Sequence, residues 1–139
     1  MKRLVGSEKQ VAWAQDIREG YIKKLEILKE AEKVLRNTEM KEVTMTDPLG
    51  LSSRTVKRYA VKLTNEQRAT ISSASNFAPK PSYQSMAPEI DWVEDRKAAY
   101  TGNPHAGRLA EADYIAETIA SIERAVENEE SAKFWIEHR

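Results

Sequence analysis

Apolar residues recur at helical spacing at both ends of the chain and lose that rhythm in the middle. Near the start, Ser7 followed three positions later by Gln10 makes a capping box. Beyond it, Val11, Ala14, Tyr21, Ile22, Leu25, Leu28 and Leu35 form one stripe, and Trp13, Ile17, Ile27, Ala31 and Val34 form its neighbour. A broad apolar face of this kind belongs to a helix buried along one side. No proline interrupts Ser7 to Met40, and Gly20 is the one weak point, costing about 1 kcal/mol relative to alanine. A helix of about 30 residues is about 45 Å long, so a kink near Gly20 is expected if the domain stays small.

The last third mirrors the first. After Pro104, Leu109, Ala112, Ile115, Ala116, Ile119, Ile122 and Val126 make a second helical stripe, weakened at Asn128 to Glu130 and resumed at Ala132, Phe134, Trp135 and Ile136. Either the helix runs to the C-terminus or a short one starts near Ser131. The fold class predicted is mainly α: terminal helices at about residues 7–40 and 105–138 packed antiparallel in a single domain, with Trp13 and Trp135 in their core and an insert over 41–104.

In the insert, Thr44, Met45 and Thr46 favour extended structure, and Asp47-Pro48-Leu49-Gly50 is a turn signal. Thr55 to Leu63 fits a helix burying Val56, Tyr59, Ala60 and Leu63, or a strand burying Tyr59, Val61 and Leu63. The strand, in a small β-hairpin, is favoured, because Thr64 and Gln67 make another capping box for a short helix through Ile71. Ser72 to Pro88 is rich in Ser, Ala and Pro and is expected to be irregular. Glu89 to Tyr100 is expected to hold one short helix.

Composition narrows the chemistry. The 139 residues contain no cysteine, which excludes disulfides, thiolate nucleophiles and cysteine-ligated metals. No signal-peptide or membrane-spanning run is present, so the cytoplasm of a bacterial host is the expected location. Acidic and basic residues balance at 22 each, against a DNA mimic or a uniformly basic binder. Local asymmetry survives: Arg54 to Arg68 holds Arg54, Lys57, Arg58, Lys62 and Arg68 against Glu66 alone, whereas Glu111 to Glu130 is acidic. The basic stretch is the candidate surface for an anion or acidic partner.

No enzyme is expected. The two histidines, His105 and His138, stand apart, with His105 expected at a helix start in contact with solvent. No metal or cofactor site is expected. Asp91, Glu94 and Asp95 beside Trp92 could do acid–base work, but they suit the exposed side of a short helix better. There is neither a phosphate-binding glycine loop nor a nucleophile elbow.

Two resemblances add to this. Leu49-Gly50-Leu51-Ser52-Ser53-Arg54-Thr55-Val56-Lys57-Arg58-Tyr59 resembles the turn and recognition helix of a helix-turn-helix domain, which implies a DNA-binding regulator contacting DNA through Ser52, Ser53, Arg54, Lys57 and Arg58. The segment upstream, with Val43, Thr44, Thr46 and Pro48, makes a poor first helix for that motif. Secondly, Gly6-Ser7-Glu8-Lys9-Gln10 with Trp13-Ala14 and Ile17-Arg18, closed by Ser131-Ala132-Lys133-Phe134-Trp135-Ile136 and Arg139, resembles uncharacterised small helical proteins of bacteria, their phages and other mobile elements. That resemblance implies that the two blocks are halves of one module. By association with such sources, it implies a non-catalytic inhibitor of a host machine, with anti-CRISPR proteins as one subclass. The candidate binding residues are Arg54, Lys57, Arg58, Tyr59, Lys62, Arg68 and Trp92, with Phe77, Tyr83 and Tyr100 as further aromatic anchors. The partners left open are a host protein or nucleoprotein complex, nucleic acid met through residues 54–68, and a second copy of the chain.

Overall fold

A computed structural model describes residues 1–79 and 96–139. The first helix, α1 (Glu8–Arg36), starts at the expected capping box: Ser7 Oγ accepts from the Gln10 amide, and the Gln10 side chain accepts from the Ser7 amide. It passes through Gly20 without interruption. The helix stops at Arg36 rather than Met40, because Asn37 turns to an extended conformation and the chain enters strand β1 (Met40–Thr46).

Strand β2 (Ser53–Tyr59) returns antiparallel, with Met40 opposite Tyr59 and Thr46 opposite Ser53. The β-branched residues at 43, 44, 46, 55 and 56 suit a pleated ribbon better than a helix. The segment that resembles a recognition helix is therefore this loop and strand, and no recognition helix lies at Thr55–Leu63. Helix α2 (Asn65–Ser73) follows the predicted Thr64–Gln67 capping box. A single 3-10 turn at Ser75–Phe77 ends the described part of the insert, and another at Ala98–Tyr100 precedes α3 (Ala106–Asn128).

Helix α3 runs antiparallel to α1, as the ion pairs Lys29–Glu123 (3.8 Å) and Arg36–Asp113 (3.0 Å) indicate. The seam joins Ala14, Tyr21, Leu25, Leu28, Ala31 and Leu35 to Ala112, Ile115, Ile119 and Ile122. Steps of three and four residues on both helices keep the two faces in register along the pair. Arg18 also falls on this seam and is buried, donating to the Lys2 carbonyl at 2.8 Å. The break at Asn128–Ser131 gives a separate short helix, α4 (Ala132–Glu137), with Ser131 as its N-cap.

The two terminal blocks meet. Val5 bonds to the Glu130 carbonyl (2.7 Å) and accepts from Ala132 (3.0 Å), forming a parallel bridge to Ser131. Gly6 is needed for this approach: a Cβ there would lie 3.0 Å from the Ala132 Cβ. Trp135 is fully buried against Tyr21, Phe77 and Phe134. Trp13 corrects the expectation: it is 48% exposed and stacks under the Arg139 guanidinium at 4.8 Å. It sits one position, about 100°, off Ala14, which holds the seam. Among the described residues, no helix is long and apolar enough to cross a membrane.

Candidate functional site: a free-standing hairpin

The hairpin of β1 and β2 is about 23 Å long at about 3.3 Å per residue. Nearly every one of its side chains is exposed, and the half-covered ones are the cross-strand pair Val43–Val56 and Tyr59 at the base. Among the described elements, none packs along its length. A two-stranded ribbon is marginal by itself in water, so its order depends on its tip and its base.

At the tip, the Asp47 carboxylate accepts from the amides of Leu49 (2.9 Å), Leu51 (3.0 Å) and Ser52 (2.8 Å) and from the Ser52 hydroxyl (2.7 Å). Gly50 closes the turn onto the Asp47 carbonyl with φ +70°, a left-handed conformation that glycine adopts without strain. The Ser52 hydroxyl, then the Leu51 amide, hold the Asp47 carboxyl below its ordinary range. A depressed folded pKa means that the turn's order is complete above the ordinary carboxylate range and is lost as pH falls through the folded value. The amide resonances of Leu49, Leu51 and Ser52 are accordingly expected to collapse together toward random-coil positions on acidification. In Asp47→Ala they should sit there at every pH, with the melting of the helical body unchanged. Well-dispersed tip amides in that variant would contradict this role.

At the base, Arg108 of α3 does the fixing. Its guanidinium donates to the carbonyls of Leu35 (3.2 Å), Val34 (2.6 Å) and Val61 (2.5 Å) and lies 4.0 Å over the Tyr59 ring. The first two belong to the last turn of α1, where carbonyls run short of helical donors; the Val34 carbonyl also accepts from the Asn37 amide at 3.2 Å, and the third carbonyl follows β2. The Tyr59 hydroxyl also meets His105 Nδ1 at 2.9 Å. His105 stands at the start of α3, as expected, and is half-buried as this partner.

Beside Arg108, Glu111 is pushed above the ordinary carboxylate range by burial, against the pull of Arg68 and Arg108. A raised folded pKa costs stability as pH rises through it. Glu111→Gln should therefore gain in melting temperature over the wild type between pH 4 and pH 7. A constant offset across that range would show that the carboxylate is not strained.

The predicted site residues do not form one patch. Arg54, Lys57 and Arg58 lie on β2, Lys62 in the connector, and Arg68 on α2 near Glu111. Tyr59 is half-buried at the root of the hairpin. Phe77, expected as an aromatic anchor, is instead buried in the aromatic core. Tyr100 is half-buried and donates to Asp113 at 2.6 Å. Trp92, Tyr83 and the acidic cluster Asp91, Glu94 and Asp95 lie outside the described residues.

Sequence reasoning missed the exposed tip, where Leu49 and Leu51 are 80% and 81% accessible. It also missed Lys41, which pairing brings opposite Arg58. The turn signal at Asp47–Gly50 was visible, and combining it with a returning strand would have found both. Among the described residues, no group of three or more His, Asp or Glu is placed to hold a metal ion. No family model matches the chain, and no curated protein or solved structure is significantly similar to it.

Proposed function

We propose that this protein is a non-catalytic binding protein of a phage or mobile element. It acts by laying its hairpin arm against a host nucleic-acid-targeting machine and blocking it one for one. The observation that carries this reading is the arm itself. Seven-residue strands project from the helical body with both faces in water, and two leucines stand at the tip with four-fifths of their surface exposed. Those leucines contribute nothing to the core of this fold, and apolar side chains held out on a fixed turn are suited to filling pockets on a partner. The dedicated scaffolding at Asp47 and Arg108 keeps the arm ordered while it is unoccupied, which lowers the entropy lost on docking.

The test is a titration into a reconstituted host defence nuclease reaction. Inhibition should saturate near one equivalent of protein per target. The Leu49→Asp/Leu51→Asp double variant should lose at least about tenfold in potency with unchanged thermal melting, the size expected for removing hot-spot side chains. Silencing of an excess of target by sub-stoichiometric protein, or full potency in the leucine variant, would overturn the reading.

A further inference from the structure

The strand register sorts the charges of the arm onto two unlike faces. Directly opposed residues in an antiparallel pair point to the same side, and successive residues alternate. Lys41 and Arg58, Val43 and Val56, and Met45 and Arg54 are opposed pairs and share one face. Met40 and Tyr59 at the base, Glu42 and Lys57, Thr44 and Thr55, and Thr46 and Ser53 share the other. Within the paired strand residues the first face thus carries three cations and no acid, around a valine pair and a methionine, and the acids Glu39 and Asp47 flank it just beyond the strand ends. On the second, a single cation stands across from a single acid, among hydroxyls. Arg58 leans along the first face until its Nη2 is 3.2 Å from Met45 Sδ, which draws its charge toward Arg54. Lys41, Arg54 and Arg58 are all exposed.

We infer that the Lys41–Arg54–Arg58 face of the hairpin binds double-stranded DNA. The inference rests on the arm being the binding element and names what one face of it meets. Charge complementarity selects a polyanion. Arg54 and Arg58 are about 13 Å apart along the strand, a distance over which duplex DNA presents a phosphate charge about every 1.7 Å of axis. Shape selects the duplex: the major groove, about 12 Å wide, admits a two-stranded β-ribbon, and here nothing among the described elements flanks the ribbon to block its insertion. Val43, Val56 and Met45 would then sit over base edges, where thymine methyls offer apolar contact, while the cations reach the flanking phosphates.

The experiment is fluorescence anisotropy of a labelled duplex of about 20 base pairs with the full chain, across a salt series. Affinity should fall with salt at a logarithmic slope of about −3, close to 0.9 for each of three neutralised phosphates. Arg54→Glu/Arg58→Glu should weaken binding at least about tenfold, whereas Lys57→Glu, on the other face, should change it less than about threefold. Thermal melts of all variants should match the wild type, because these side chains are exposed. No binding at about 50 mM salt, equal losses in the two variants, or equally effective competition by polyglutamate, which would mark an acidic protein as the occupant, would each overturn the inference. Blocking of the host machine without duplex binding would remove this inference and leave the proposed function standing. Duplex binding without blocking would do the reverse.

Discussion

Trp135→Ala is expected to destabilise the protein by about 3–5 kcal/mol, the range for truncating a fully buried large aromatic. The side chain is completely excluded from solvent, and its ring centroid lies 6.0 Å from both Tyr21 and Phe77 and 5.4 Å from Phe134. It therefore ties α4 to α1 and to the 3-10 turn after α2. Little can collapse into the space it would leave, because its neighbours are themselves held elsewhere. Tyr21 donates its hydroxyl to the His138 carbonyl, and Phe134 stacks on His138 with centroids 4.0 Å apart. Trp13→Ala is the control. With half its surface in water and one stacked arginine, it should cost less than about 1 kcal/mol, as for an exposed cation–π contact. Chemical denaturation of both variants decides this; losses of similar size would mean that Trp13 belongs to the core after all.

Replacing Arg108 by methionine should cost about 2–3 kcal/mol, the scale for hydrogen bonds made by a charged donor, with the loss concentrated at the hairpin base. Methionine keeps much of the apolar stem but removes a charged donor from three carbonyls, of which that of Val34 keeps the Asn37 amide, and leaves Tyr59 without its stacked cation. Two of those carbonyls end α1 and the third follows β2, so one side chain couples the arm to the helix pair. Hydrogen exchange should show the strand amides losing protection well before those of α1 and α3, a local opening rather than global unfolding. Uniform loss across helices and hairpin would show that Arg108 acts on global stability instead. The arm's proposed binding should weaken in the same variant, because a loosened ribbon must be ordered again on docking.

Much of this architecture is written in local sequence. The capping boxes at Ser7–Gln10 and Thr64–Gln67 begin helices where they should, since each is a short-range exchange of hydrogen bonds that needs nothing from elsewhere in the chain. The apolar stripes determine that α1 and α3 have faces to bury, and Asp47 to Gly50 determines a turn. Short-range signals stop there. Thr55 to Leu63 satisfies both a helical and an extended pattern; the capping box at Thr64 leans toward the strand, and the pairing of Val56 with Val43 and of Arg54 with Met45 fixes it. That same pairing decides which cations share a face, because a shift of one residue would send every side chain to the opposite side. The difference between Trp13 and Trp135 is likewise tertiary. Both lie in apolar stripes, but the seam has room for the residues at 14, 18 and 21, which leaves Trp13 on the flank. Arg108 looks in sequence like one more surface charge of an amphipathic helix. It gains its role only because the end of α1, the exit of β2 and the Tyr59 ring all converge on its guanidinium, a meeting of segments up to 74 residues apart that no local pattern encodes.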